Sequence, residues 1–333
     1  MQSVETDLKG TCVVTFDVSS SIQSFRSKGL KVPEGNDSVF ENMRQRLLEW
    51  MSHAFPESEI TAIDKDELRS QIWKILGSIV NGHAVLVTCS EMASLNPDPN
   101  GLNLSINRLF DADGKMLGYG PRPGYDHLSK QFDELVQKIR GRPVVLAKEG
   151  AFRGNTCCYI IDELEKRGVS LVVIIMGFCD VNAKAQIQQK FCGEFTVLHL
   201  FDRMVEWVAD RDLIPFMPGC GRVLGEALTH SFMPTRTSDG LSCAFPYILP
   251  FGKTGKWMSL ADGHASKLSV DFLEYGIELF SRWETINSRQ ILVGELLRDN
   301  PRVSMPIAVG NSTKIPGQND RILDFLQSVR KTL

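Results

Sequence analysis

The stretch PVVLAKEGAFRGNTCCYIIDELEKRGVSLVVIIMG, residues 143–177, decides the fold. Pro143 to Ala147 is an apolar, β-branched run and reads as a strand. Lys148 to Gly154 reads as a loop. Asn155 to Arg167 reads as a helix, which Gly168 stops at the expected C-terminal cap. Ser170 to Gly177 is a second strand, and its unbroken apolar character predicts burial on both faces. The two strands are therefore parallel, joined by a right-handed helical crossover.

The flanking sequence extends this α/β pattern in both directions. Cys12 to Phe16 is a β-branched run ending at Asp17, and Phe40–Phe55 and Asp66–Val80 show apolar residues at helical spacing. His83 to Thr88 predicts another strand, followed by the loop Cys89-Ser90-Glu91. Leu102 to Leu109 alternates like a strand. The turn signal Asp111-Ala112-Asp113-Gly114 predicts a hairpin, with Met116 to Tyr119 returning. Tyr125 to Arg140 is helical, and Glu194 to Phe201 adds a strand. Beyond Met217 the pattern loosens, then gives a clear amphipathic helix at Lys267–Arg282 and a terminal one at Arg321–Val329. The expected architecture is a three-layer α/β core with a mainly parallel sheet. It spans residues 81–235, with an N-terminal strand and helices (1–80) packed on it and a mostly helical C-terminal region (236–333).

The chain has 333 residues, is 43% hydrophobic and carries a net charge of −3. That balance gives no nucleic-acid signal, because phosphate-backbone binding shows as a basic excess. The polar N-terminus has no apolar secretory region, and the longest apolar run, Leu171–Phe178, is far short of the roughly 20 residues a membrane helix needs. The expectation is a soluble, cytoplasmic protein with no membrane partner. Eight cysteines contain no CxxC pair and read mainly as small buried apolar groups.

The loop at 148–156 carries the chemistry. A strand that runs into a glycine-bearing loop and then a helix makes an anion site. The first helical N–H groups lack partners within the helix, and the helix dipole adds partial positive charge. Gly154 permits a positive φ or a close backbone approach. Asn155 and Thr156 offer side-chain donors at the helix start, and Arg153 offers a charge-assisted bond to phosphate. An ordinary βα turn of a doubly wound sheet has the same outline.

The segment Val144–Thr156 resembles the PRPP-binding motif of the type I phosphoribosyltransferases: a hydrophobic strand, two acidic residues, a short loop, then Thr-Gly-x-Thr. Lys148 and Glu149 fall on the acidic pair, which in that family holds the ribose hydroxyls. Arg153-Gly154-Asn155-Thr156 falls on the phosphate-binding end. Lys148 replaces the first acid and Arg153 the usual threonine. The order of elements over residues 80–215 is also similar. Ser90 stands where a pyrophosphate loop belongs, and the hairpin carries Arg108, Lys115 and Arg122. Trp207 and Asp212 stand where a base-contacting hood follows the last core strands.

The resemblance implies a protein that binds PRPP or another ribose 5-phosphate or nucleotide and transfers ribosyl phosphate to or from a base. Glu149 and Arg122 would be its catalytic residues, with Mg²⁺ held at Glu149. The other implied reading is a catalytically degenerate sensing or regulatory module, of the kind that occurs in multi-gene bacterial systems. Lys148 favours the second. Both leave room for a homo-oligomer or a protein partner.

One further constellation is Asp17-Val18-Ser19-Ser20-Ser21, which fits a DxSxS metal-site pattern with hard oxygen ligands. It also fits a strand followed by a serine-rich helix cap.

Overall fold

A computed structural model describes residues 9–79, 84–89, 102–111, 114–122, 125–217, 220–221, 223–226, 228, 231–232, 238–239, 248–252, 254–260, 262–296 and 316–333. The βαβ unit predicted at 143–177 is present. It consists of β7 (Val144–Ala151), a helix at Asn155–Glu165 and β8 (Leu171–Asp180), with the strands parallel. These two strands lie inside a five-stranded parallel sheet of order β4-β3-β7-β8-β9. The other members are β3 (Val85–Cys89), β4 (Leu102–Leu104) and β9 (Glu194–Phe201).

A second parallel sheet, of order β10-β1-β2, is built from β1 (Gly10–Phe16), β2 (Ser58–Asp64) and β10 (Met204–Ala209). The first sheet thus lies in sequence between two strands of the second. The described residues 9–79 contribute two strands to this sheet, and β1 pairs along its length with residues 204–209. Trp207 belongs to β10, where its indole Nε1–H donates to Thr15 Oγ1 at 3.2 Å. It is a sheet residue there and not part of a hood. β5 (Ile106–Phe110) and β6 (Met116–Pro121) form the predicted hairpin. They belong to a four-stranded sheet with β11 (Val223–Glu226) and β12 (Ser231–Phe232). The single strand expected over Leu102–Leu109 is therefore two strands in two sheets, broken at buried Ser105.

The helices, in chain order, are α1 (Val18–Ser21), α2 (Ser38–Ala54), α3 (Lys65–Ile79), α4 (Leu128–Ile139), α5 (Asn155–Glu165), α6 (Val181–Gln188), α7 (Thr254–Trp257), α8 (Asp262–Asn287), α9 (Val293–Leu296) and α10 (Ile322–Arg330). No helix among the described residues is long and apolar enough to cross a membrane.

Strand alternation sorts side chains into layers. Cys12, Val14 and Phe16 of β1 face a core with α2, α8 and α10 in which Trp283, Tyr275, Phe25 and Phe40 are fully enclosed. Residues of β1 and of α10, about 310 positions apart, thus share one core. Val13, between them, faces the opposite way, toward Leu68, Ile72 and Leu76 of α3 and Val145 and Ala147 of β7. Val144 and Leu146 face a third layer with Phe132 of α4 and Ile160 and Leu164 of α5. α3 packs in a core shared by the two parallel sheets, and the carboxyl ends of β1, β2 and β10 meet that of β7 through the ionic contacts described next.

Candidate functional site

The loop after β7 ends in Gly154, at φ 71° and ψ −16°, the residue preceding α5. No side chain caps this helix start, and no acidic residue lies in its first turn. A Cβ at Gly154 would lie 3.0 Å from the Ala183 carbonyl of α6, so the loop is seated closely on the neighbouring helix. Asn155 is turned the same way: its Oδ1 accepts from Gln186 Nε2 at 3.0 Å.

The hairpin covers the other side. Tyr119 of β6 hydrogen-bonds the Thr156 side chain, and burial raises its phenol. Its ring stacks on Tyr159 of α5 with centroids 4.3 Å apart. Arg108 stands directly across the hairpin from Tyr119 and lies close enough for its charge to act on that phenol. Arg153 is exposed, with its guanidinium 5.8 Å from the Phe152 ring centroid. Lys148 is close enough to act on the Cys157 thiol in the first turn of α5. Arg108 of β5 and Lys148 of β7 are therefore within electrostatic reach of groups at a helix start whose dipole is already positive.

Other expected site residues lie apart from this group. Arg122 ties down the base of the hairpin, its Nε donating to the Ile106 carbonyl at 3.2 Å and its amide to the Ser105 carbonyl at 2.9 Å. Lys115 is at the hairpin tip, exposed, with its backbone closing the turn onto Asp111. Asp212 accepts from the Gly221 amide at 2.9 Å, holding a loop beyond β10. Ser90 lies outside the described residues.

Glu149 is the main correction. Its side chain turns away from α5, is 2% exposed, and has Oε2 3.6 Å from Lys65 Nζ. The next residue, Gly150, has no room for a Cβ, because the Phe178 ring occupies that space. In this position Glu149 has no open path to a ribose. A Mg²⁺ ion does not fit at its carboxylate either, because the Lys65 ammonium holds the place a cation would take.

Lys65 opens onto a buried ionic cluster that the sequence did not disclose. Its Nζ lies 2.9 Å from Asp17 Oδ2, and Arg211 Nη1 lies 3.0 Å from the same oxygen. Burial alone would raise the Asp17 carboxyl. The Arg211 and Lys65 charges outweigh it and hold Asp17 below the usual carboxylate range. Asp210 behaves oppositely: burial and the adjacent Asp17 charge push it well above that range, although three backbone amides (Asp17, Val18 and Arg211) donate to its Oδ1. Asp210 also shares a side-chain hydrogen bond with Asp17, in which its raised carboxyl is the donor. The DxSxS motif at 17–21 thus meets Lys and Arg in place of a metal, and Ser20 Oγ bonds back to the Asp17 carbonyl at 3.1 Å.

Asp17, Lys65 and Asp210-Arg211 directly follow β1, β2 and β10. Charged residues at the carboxyl ends of parallel strands are the signal that would have found them. It required recognising Ser58–Asp64 and Met204–Ala209 as strands, and their polar Glu59, Thr61 and Glu206 obscured that.

Cys157 and Cys158 are buried, and burial raises both thiols despite their place at a helix start. They are packing residues.

No family model and no curated protein matches this chain. It is similar to a solved crystal structure, that of TT1426 from Thermus thermophilus, at 14% identity over 40% of this chain and 81% of that one. The TM-score is 0.27, too low for the likeness to carry an argument.

Proposed function

We propose that this protein binds a ribose 5-phosphate, such as PRPP or a nucleotide, through its phosphate at the start of α5, and that it acts as a sensing or regulatory module. The observation that carries the reading is the uncapped α5 N-terminus behind left-handed Gly154, with Tyr119–Thr156 and Arg108 closing one side. Helix-start amides and cations supply the two elements of phosphate binding, directional donors and positive charge. Mg²⁺ enters this reading as the companion of a diphosphate-bearing ligand and not as a protein-held ion.

Ribosyl transfer develops positive charge at the sugar and calls for a carboxylate facing it. Of the two residues on the acidic pair, Lys148 lies on the α5 side and Glu149 is buried beside Lys65. Binding without turnover is the function that fits this arrangement.

Calorimetry with inorganic phosphate, ribose 5-phosphate and PRPP, with and without Mg²⁺, tests the proposal. One molecule of ribose 5-phosphate should bind per chain, and an Arg108→Ala/Thr156→Val variant should weaken it at least tenfold. Absence of binding for all three ligands refutes the proposal. Pyrophosphate release from PRPP with any of a panel of bases refutes the assignment as a non-catalytic module.

A further inference from the structure

We propose that Lys65 is a positioning residue for the phosphate loop, setting the charge beside it by answering Glu149. The inference rests on the anion-binding reading above. Lys65 is the first residue of α3, is 3% exposed, and is shared between Asp17 at 2.9 Å and Glu149 at 3.6 Å. It therefore joins the carboxyl ends of two parallel sheets. Asp17 is also held by Arg211, at the same carboxylate oxygen, and Asp210 fixes the Asp17–Val18 backbone. A parallel aromatic link runs from Thr15 through the Trp207 indole to Phe178, whose ring lies 4.9 Å from that of Trp207 and fills the space beside Gly150. Glu149 and Gly150 are thus fixed from the β1–β2–β10 sheet by an ionic and an aromatic contact.

The consequence for binding is electrostatic. Glu149 lies five residues before Gly154, at most about 17 Å along extended chain and less through a turning loop. A carboxylate in that low-dielectric setting repels a phosphate dianion unless a cation answers it. Lys65 supplies that cation, leaving Lys148, Arg108 and the α5 dipole to act on the ligand. The N-terminal segment thus acts on the binding site through Glu149, and a loss of charge at Lys65 is felt at the loop.

The test is calorimetry with inorganic phosphate and ribose 5-phosphate on the full chain, using Lys65→Met, Glu149→Gln and the double variant, with folding checked by circular dichroism. Lys65→Met should weaken both probes alike, about tenfold, or about 1.4 kcal/mol. Adding Glu149→Gln should restore both to within about threefold of the wild type, a rescue that a purely structural role for Lys65 does not give. Glu149→Gln alone should bind both probes at least as tightly as the wild type. Unchanged binding by Lys65→Met, or a double variant as weak as the single one, overturns the inference and leaves the anion site standing. If Lys65→Met does not fold, Glu149→Gln decides alone: weaker phosphate binding, or loss confined to ribose 5-phosphate, overturns it. A wild-type chain that binds neither probe overturns the anion-site reading and this inference together.

Discussion

Gly154→Ala is the substitution whose effect can be worked most closely from the structure. Gly154 has φ 71°, a conformation that costs an L-residue about 1 kcal/mol. Its added Cβ would also lie 3.0 Å from the Ala183 carbonyl and 3.4 Å from Ile187 Cγ1, so α6 would have to give way by a few tenths of an ångström. That repacking adds about 1 kcal/mol, for a total near 2 kcal/mol. Gly168 provides the control. Its φ is 68°, but a Cβ there meets nothing within 4 Å. Gly168→Ala should therefore cost only the backbone share, about 1 kcal/mol. Urea unfolding of both variants isolates the α6 contact as their difference. Calorimetry with ribose 5-phosphate should show Gly154→Ala weakened at least tenfold, because the displaced loop carries the amides at the start of α5, and Gly168→Ala unchanged. Equal stabilities, together with wild-type ligand affinity for Gly154→Ala, would refute the reasoning.

Other outcomes follow from the buried groups. Asp210, raised well above its usual range, retains a proton in the fold that it loses in the unfolded chain, so its contribution to stability declines as pH rises above about 4. Asp210→Asn keeps the oxygen acceptor for the three amides and a donor toward Asp17. It should be as stable as the wild type or more so at pH 8, with a shallower pH dependence; a loss of several degrees in Tm at pH 8 argues against the protonated pair. Asp17, lowered by Arg211 and Lys65, contributes stability above about pH 4 that is lost on acidification, and Asp17→Ala, leaving two buried cations, should destabilise by about 3–5 kcal/mol in chemical denaturation. Among the described cysteines Cys192 is the exposed one, while burial pushes the Cys12 and Cys179 thiols up to about 12. Maleimide labelling of the native protein followed by peptide mapping should modify Cys192 first, and early labelling of Cys157 would contradict its packing role.

How much of this was legible in the sequence depended on the range of the interactions. The βαβ unit at 143–177 was readable because its signals are local: an apolar run, a glycine, a helical period and a second glycine. The hairpin was readable for the same reason, with Asp111 and Gly114 marking its turn. The helix start at Gly154–Thr156 follows from these, since the orphan amides of a helix are a property of its own backbone.

What the tertiary structure alone decided is where the strand ends meet. β1 finds its neighbour about 190 residues later in β10, so nothing near Asp17 in sequence announces Asp210 or Arg211. The same holds for Glu149. Its place on an acidic pair pointed to a ribose, but which sheet face its carboxylate takes is set by the strand's pleat and by the Phe178 ring packed against Gly150. That face carries Lys65, and a buried carboxylate goes where a cation can answer it.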